Sequence, residues 1–296
     1  MKISIFTRHK AEQLHNKAQR LSSSGNDSEA LALYQEALNL DPLRPSTLYN
    51  MGLIYKYRGD WEKSLELNQK AYELDSSDEA SRWNIAIAAT ALRRWRVARK
   101  AWKDNGYSID ESDDPVDLNC GSTPVRLNAD EDGEVVWAQR IDPVRAVIQS
   151  IPLPASGFRF GDVVLNDGAA VGYRKVKDRE YPVFNVLALF EQSSSTTFVV
   201  EVITADASQI EALHAECDKA GIEMEDWTAS VRSICRKCSE GVPHDHHDDG
   251  KSSEWQTHRR IGMSAESVDD VTQLLSWCSE SRIVEVKSFD LALDAR

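Results

Sequence analysis

The residues best equipped for chemistry stand together late in the chain, in the run Cys235-Arg-Lys-Cys238-Ser-Glu-Gly-Val-Pro-His244-Asp-His246-His247. A Cys-x-x-Cys pair can place two thiolates on one metal ion. Gly241 and Pro243 bend the chain so that a histidine further on can reach the same ion. Two thiolates and two imidazoles suit tetrahedral zinc. The expected ligands are Cys235, Cys238, His244 and His246, with His247 as the substitute for His246. Two other readings stay open: a His/Asp-rich loop beside an unrelated cysteine pair, and a redox Cys-x-x-Cys. No strand leads into the pair in the redox pattern. Four protein ligands close a zinc site, whereas catalytic zinc keeps a position open. The zinc is therefore read as structural. Glu240, Asp248 and Asp249 are the bases available to the alternative, a zinc-dependent hydrolase. No His-Glu-x-x-His, glycine-rich phosphate loop or nucleophile elbow occurs in the chain.

The elements around this cluster read in three blocks. Near the start, small residues recur every 34 positions: Ala18, Gly52 and Ala86, then Ala30, Ser64 and Ala98. Tyr34, Asn68 and Trp102 follow the same spacing, as do Ala37 and Ala71. Leu14, Ala18 and Leu21 share one helical face, and Ala30, Leu33, Tyr34, Ala37 and Leu38 another, so each unit is a pair of helices. Gly25-Asn26-Asp27 and Gly59-Asp60 supply the breaks between them. This pattern resembles the tetratricopeptide repeat over residues 11–107. The resemblance implies an array of about three helical hairpins, spanning residues 1–107, that binds another protein. In the third unit Ala89 and Asn105 depart from the pattern, and its second helix is expected to pack on the next domain.

Aligning the units places His15, Gln19, Tyr49, Leu53, Lys56, Tyr57, Trp83 and Ile87 on the inner face of the first helices. The last six are the expected partner contacts. Members of the family that grip a C-terminal carboxylate resemble one another in carrying a lysine and asparagines there. Asn50 and Asn84 match, but His15, Gln19 and Ala80 do not, so aromatic anchors are expected to dominate.

Residues 108–133, rich in Asp and interrupted by Pro115 and Pro124, read as an acidic linker. After it the periodicity changes from 3.6 to 2, and 134–296 reads as an α+β domain. Strands are expected at Glu134–Ile141, Val144–Ile151, Asp162–Leu165, Val183–Phe190 and Thr197–Thr204, with a turn at Asn166-Asp167-Gly168. Ile210, Leu213, Cys217 and Ile222 recur 61 residues later as Val271, Leu274, Cys278 and Ile283. Two strand–helix–strand units around them predict a ferredoxin-like split βαβ arrangement. Cys217 and Cys278 fall on apolar helix faces and read as buried thiols.

Charge divides the 296 residues unevenly. Residues 1–107 hold 17 Lys+Arg against 13 Asp+Glu, or +4; residues 108–296 hold 18 against 35, or −17. That asymmetry disfavours nucleic acid and favours a basic protein partner, although solubility alone also accounts for it. Arg93, Arg94, Arg96, Arg99, Lys100 and Lys103 form a basic helix, read as docking on the chain's own acidic residues. No apolar run approaches the roughly 18 residues of a membrane span. Five cysteines suit a reduced compartment, so a cytoplasmic location is expected.

The layout as a whole is similar to a group of bacterial proteins that join such an array to a domain carrying segments like Arg140-Ile-Asp-Pro-Val-Arg145, Gly161-Asp-Val-Val-Leu-Asn-Asp-Gly168, Glu225-Asp-Trp-Thr228 and the Cys/His run. Acidic proteins of this kind resemble immunity proteins, which neutralise bacterial toxins. The reading is thus a non-enzymatic protein-binding protein, in its specific form an immunity protein against a basic toxin. A zinc hydrolase with a targeting arm and a generic scaffold are the alternatives.

Overall fold

The computed structural model describes residues 4–131, 133–176, 179–229 and 255–294. It divides into two compact units, Met1–Asp117 and Leu118–Arg296.

The first unit is three helical hairpins. They are α1 (Ile5–Ser23) with α2 (Asp27–Leu40), α3 (Pro45–Tyr57) with α4 (Trp61–Leu74), and α5 (Glu79–Ala91) with α6 (Trp95–Asp104). Ser4, Asp60 and Asp78 each accept a backbone N–H of the helix that follows, which satisfies one of its otherwise unpaired donors. Each hairpin turns through a left-handed residue at the repeat spacing: Gly25, Gly59, and then Arg93 at φ 56°. A side chain in that region is strained, and the third repeat carries this strain where the first two use glycine. The small residues are small for a reason of distance. A Cβ on Gly52 would lie 2.5 Å from Asn68 Nδ2. Ala18, Ala30, Tyr34, Met51 and Ile54 make a core across the first two hairpins.

Residues of its own unit cover the second helix of the third repeat. Residues 105–117 run on from α6, with Ile109 and Val116 buried. Arg99 donates to the carbonyls of Asp110, Asp114 and Pro115, and Arg96 forks onto the Asp113 carboxylate. The basic helix thus meets acidic residues of its own chain. Arg94 is also paired, with Glu62, and Lys100 with Asp104.

The second unit begins with a closed barrel of β1 (Gly121–Leu127), β2 (Glu134–Arg140), β3 (Arg145–Ile148), β4 (Val163–Val176) and β5 (Arg179–Glu191). Neighbours are antiparallel, and the seam closes with β1 parallel to β5 at Val125↔Phe184. Val125, Leu127, Val136, Ala138, Ala146, Ile148 and Val164 fill the interior. Alternation then turns Trp137 and Gln139 outward. A four-stranded antiparallel sheet follows, of β6 (Thr196–Ile203), β7 (Glu223–Asp226), β8 (His258–Ala265) and β9 (Glu285–Leu293), in the order β7-β8-β6-β9. Helix α7 (Ala207–Ala220) joins β6 to β7, and α8 (Val268–Glu280) joins β8 to β9. The apolar positions that recur at an offset of 61 meet in one core: Leu213, Cys217 and Ile222 with Val271, Leu274 and Cys278.

Two expectations are corrected here. Residues 108–133 are not a linker throughout, since β1 lies within them and belongs to the barrel. Asn166-Asp167-Gly168 is not a turn between strands but an irregular stretch inside β4, where the register with β5 shifts on both sides of Asn166. Its glycine and short polar side chains accommodate a bulge as well as they do a turn.

Candidate protein-binding surface

The inner face expected from repeat alignment is only partly open. Tyr57 is 61% exposed, with the Lys56 ammonium 4.5 Å from its ring centroid. Tyr49 and Leu53, on the same helix α3, are half-buried. Lys56 itself is only 4% exposed and Ile87 only 1%. Those two residues therefore offer an external ligand little, which corrects their assignment as partner contacts. The physical reason for Ile87 is that α5 is buried without interruption from Asn84 to Thr90.

Trp83 is engaged within the array. Its ring lies edge-on to Trp102 at 5.0 Å and to Tyr107 at 6.4 Å. His15 is also buried: Nδ1 bonds Thr47 Oγ1 at 2.9 Å, joining α1 to α3, and its ring lies 5.4 Å from that of Tyr34. Burial, and then the Arg44 charge, hold its pKa below the usual imidazole value. The asparagines that would serve a carboxylate grip are spent between helices. Asn84 donates to Asn68 Oδ1, and Asn50 bonds the Tyr34 hydroxyl. The open surface thus centres on Tyr57, with Tyr49 and Leu53 beside it.

In the second unit the singled-out segments act as braces. In Arg140–Arg145, buried Asp142 accepts the N–H groups of Val144 and Arg145 and pairs with Arg145 Nε at 2.6 Å. In Gly161–Gly168, Asp162 accepts from the Arg159 and Ser193 N–H groups. In Glu225–Thr228, Glu225 accepts the Ile151 N–H, the Trp227 indole donates to the Ile151 carbonyl, and Thr228 accepts the Arg260 N–H. Gly262 makes room for Trp227, because a Cβ there would lie 2.3 Å from its ring. The two contacts to Ile151 fasten the sheet to the barrel.

The expected metal ligands Cys235, Cys238, His244, His246 and His247 lie outside the described residues. Among the described residues no group of three or more His, Cys, Asp or Glu side chains is placed to hold a metal. Cys217 and Cys278 are buried, and desolvation pushes their thiols up to about 12 and about 11, away from reactivity. No described helix is long and apolar enough to cross a membrane.

Arg174 stands out in the sequence as a polar residue that could line a pocket, but the aromatic residues it joins, Trp137 and Tyr181, do not. The Arg174 guanidinium lies 5.6 Å from the Trp137 ring centroid, and Tyr181 stands edge-on to it at 5.1 Å. They come from three strands, so no local spacing joins them; outward alternation along β2 was the available signal.

Comparison with known proteins supports the first unit's repeats. Residues 18–57 match the family model described as TPR repeat, and residues 47–80 the one described as Tetratricopeptide repeat. A photosystem I assembly protein Ycf3 of Prochlorococcus marinus is 44% identical over 66 residues, 22% of this chain and 36% of that protein. Ycf3 of a Synechococcus species is 39% identical over 74 residues, 25% of this chain and 38% of that protein. The chain thus spans little more than a third of the length of these relatives. Among solved structures, the first TPR of Spaghetti (RPAP3) bound to HSP90 peptide SRMEEVD is 22% identical, with a TM-score of 0.32 over 33% of this chain and 77% of that one. The Sgt2 TPR domain from Aspergillus fumigatus is 21% identical, with a TM-score of 0.30 over 34% and 70%. The N-terminal region of the chain carries tetratricopeptide repeats, a protein-interaction scaffold.

Proposed function

We propose that the chain is a non-enzymatic protein-binding protein whose repeats grip a partner through Tyr57. The observation that carries this reading is a large aromatic left 61% exposed on the first-helix face of the middle hairpin, on α3, beside half-buried Tyr49 and Leu53. Exposed aromatics at a rigid surface are the usual anchors of protein interfaces. The −17 of residues 108–296 supports a basic partner. A toxin that acts on nucleic acid carries such charge, and immunity against one is the specific form proposed, acting in the cytoplasm. The strand order and the two strand–helix–strand units support a ferredoxin-like split βαβ reading of residues 196–293.

Capture from the source cell, followed by affinity and rate measurements on the purified pair, tests this. Tyr57→Ala is expected to weaken binding by about tenfold or more while leaving the fold intact. Association is expected to slow as salt rises. An unaltered affinity removes the Tyr57 surface, and a salt-independent rate removes the basic partner and the immunity reading with it.

Zinc, held by Cys235, Cys238, His244 and His246 or His247, is proposed as a structural cofactor on the strength of ligand type and spacing. About one zinc per chain is expected by elemental analysis, and Cys238→Ser is expected to lose it and to destabilise the second unit. Metal-free protein whose stability ignores chelators contradicts this.

A further inference from the structure

Past its register shifts, β4 pairs regularly with β5 from Gly172↔Val183 to Val176↔Arg179, forming a two-stranded ribbon. Alternation sorts its side chains onto two faces. Tyr173 lies opposite Pro182, and Lys175 opposite Glu180, on one face. Arg174 lies opposite Tyr181, and Val176 opposite Arg179, on the other. Arg174 and Arg179 are therefore diagonal neighbours, about 7–8 Å apart at the backbone, a gap that long side chains span. Glu180, the one described acid of residues 172–183, stands on the opposite face.

Two guanidiniums thus share a surface without a counter-charge. Arg44, Arg94, Arg96, Arg145 and Arg259 each meet a carboxylate. Among the described residues none pairs with Arg174 or Arg179, although the chain holds 48 Asp+Glu against 35 Lys+Arg. Arg179 is exposed and Arg174 half-buried. The Arg174 guanidinium lies 5.6 Å from the Trp137 centroid, and Tyr181 stands edge-on to that ring. The aromatic pair positions the cation without neutralising it. Burial alone lowers the Arg174 pKa, and no facing carboxylate opposes the shift. Holding a partly desolvated cation beside a second one is unfavourable until an anion joins them.

The charge selects the anion. A carboxylate brings a single negative charge to two guanidiniums. A phosphate monoester brings about −1.5 to −2 at pH 7, with three acceptor oxygens for the two arginines to share. We infer that the Arg174–Arg179 face of the β4–β5 ribbon is a binding site for a phosphate monoester or the free phosphate ion. This site goes beyond the protein-binding reading and does not depend on it.

The test is NMR titration of the full chain at constant ionic strength, with inorganic phosphate in one arm and acetyl-Gly-phosphoserine-Gly-amide in the other. Saturable shifts are expected at the Trp137 indole and at the amides of residues 173–176 and 179–182. Whichever probe binds more tightly names the source of the phosphate. The unphosphorylated serine peptide is expected to leave these signals unmoved. Arg179→Gln, at an exposed position, is expected to weaken binding by about tenfold, the scale of one lost charge-assisted bond. Arg174→Gln is expected to do the same, with unmoved amides of β2 and β3 reporting an intact barrel. Lys175→Gln removes an equal charge from the opposite face and is expected to change nothing. No saturable shift with either probe, unchanged affinity in the arginine variants, or an equal loss in Lys175→Gln overturns the proposal.

Discussion

Trp102→Ala is expected to destabilise the helical array by about 3–5 kcal/mol, the range for truncating a fully buried tryptophan. Trp102 is completely buried at the last hairpin, edge-on to Trp83 at 5.0 Å and to Tyr107 at 5.8 Å. Tyr107 lies beyond α6, so the same ring holds the start of the covering segment 105–117. Its indole N–H is buried with no hydrogen-bond acceptor among the described residues. Trp102→Phe should therefore be milder than its lost volume suggests, because it also removes a buried unpaired donor. Hydrogen exchange of α5 and α6 amides checks both variants. A loss under about 1 kcal/mol for the alanine variant would show that the cluster does not hold the end of the array.

Asp142→Ala is expected to cost the barrel about 3–5 kcal/mol, because it removes one partner of a buried ion pair. The Asp142 side chain is fully buried and that of Arg145 only 7% exposed. The carboxylate also accepts two backbone N–H groups at 2.9 and 2.7 Å, which shape the turn into β3. Asp142→Asn keeps an oxygen for those amides but sets its Nδ2 donor against the Arg145 Nε–H, so it should recover only part of the alanine loss. Pairing the alanine change with Arg145→Met should recover part of the loss, since the charge that lost Asp142 is then removed as well. Denaturant-dependent exchange of β2 and β3 amides measures all three. An Asp142→Ala variant as stable as the parent would mean that water reaches Arg145.

The helices were legible because their information is local. Ala18, Gly52 and Ala86 recur at one spacing, and Gly25 and Gly59 mark turns that need a positive φ. The third turn was harder to read, because Arg93 adopts the same backbone without the residue that announces it. Helix α7 carries Ile210, Leu213 and Cys217, whose spacing had marked an apolar helix face. β1 was missed for the opposite reason. Pro124 and the surrounding acidic residues look like linker, while one of the two strands that flank it, β5, lies far along the chain at Phe184. Alignment gave the facing of Lys56 and Ile87 on their helices but not what covers them. The Cys/His run was legible as chemistry, yet its residues fall outside the described ones. Trp137 on β2 and Glu223 on β7 line one cleft of the second unit, and no window of sequence contains both.

The seam between β1 and β5 sets an order of events during synthesis. Each helical hairpin pairs segments adjacent in sequence, so the array can form as it leaves the ribosome. The barrel cannot close until β5 has been made, and until then β1 has only β2 beside it. A strand left waiting with one open edge invites pairing with foreign chains. Pro124 sits in that strand and supplies no N–H. The proline that disguised β1 as linker also makes it a poor template for aggregation while its partner is still being translated.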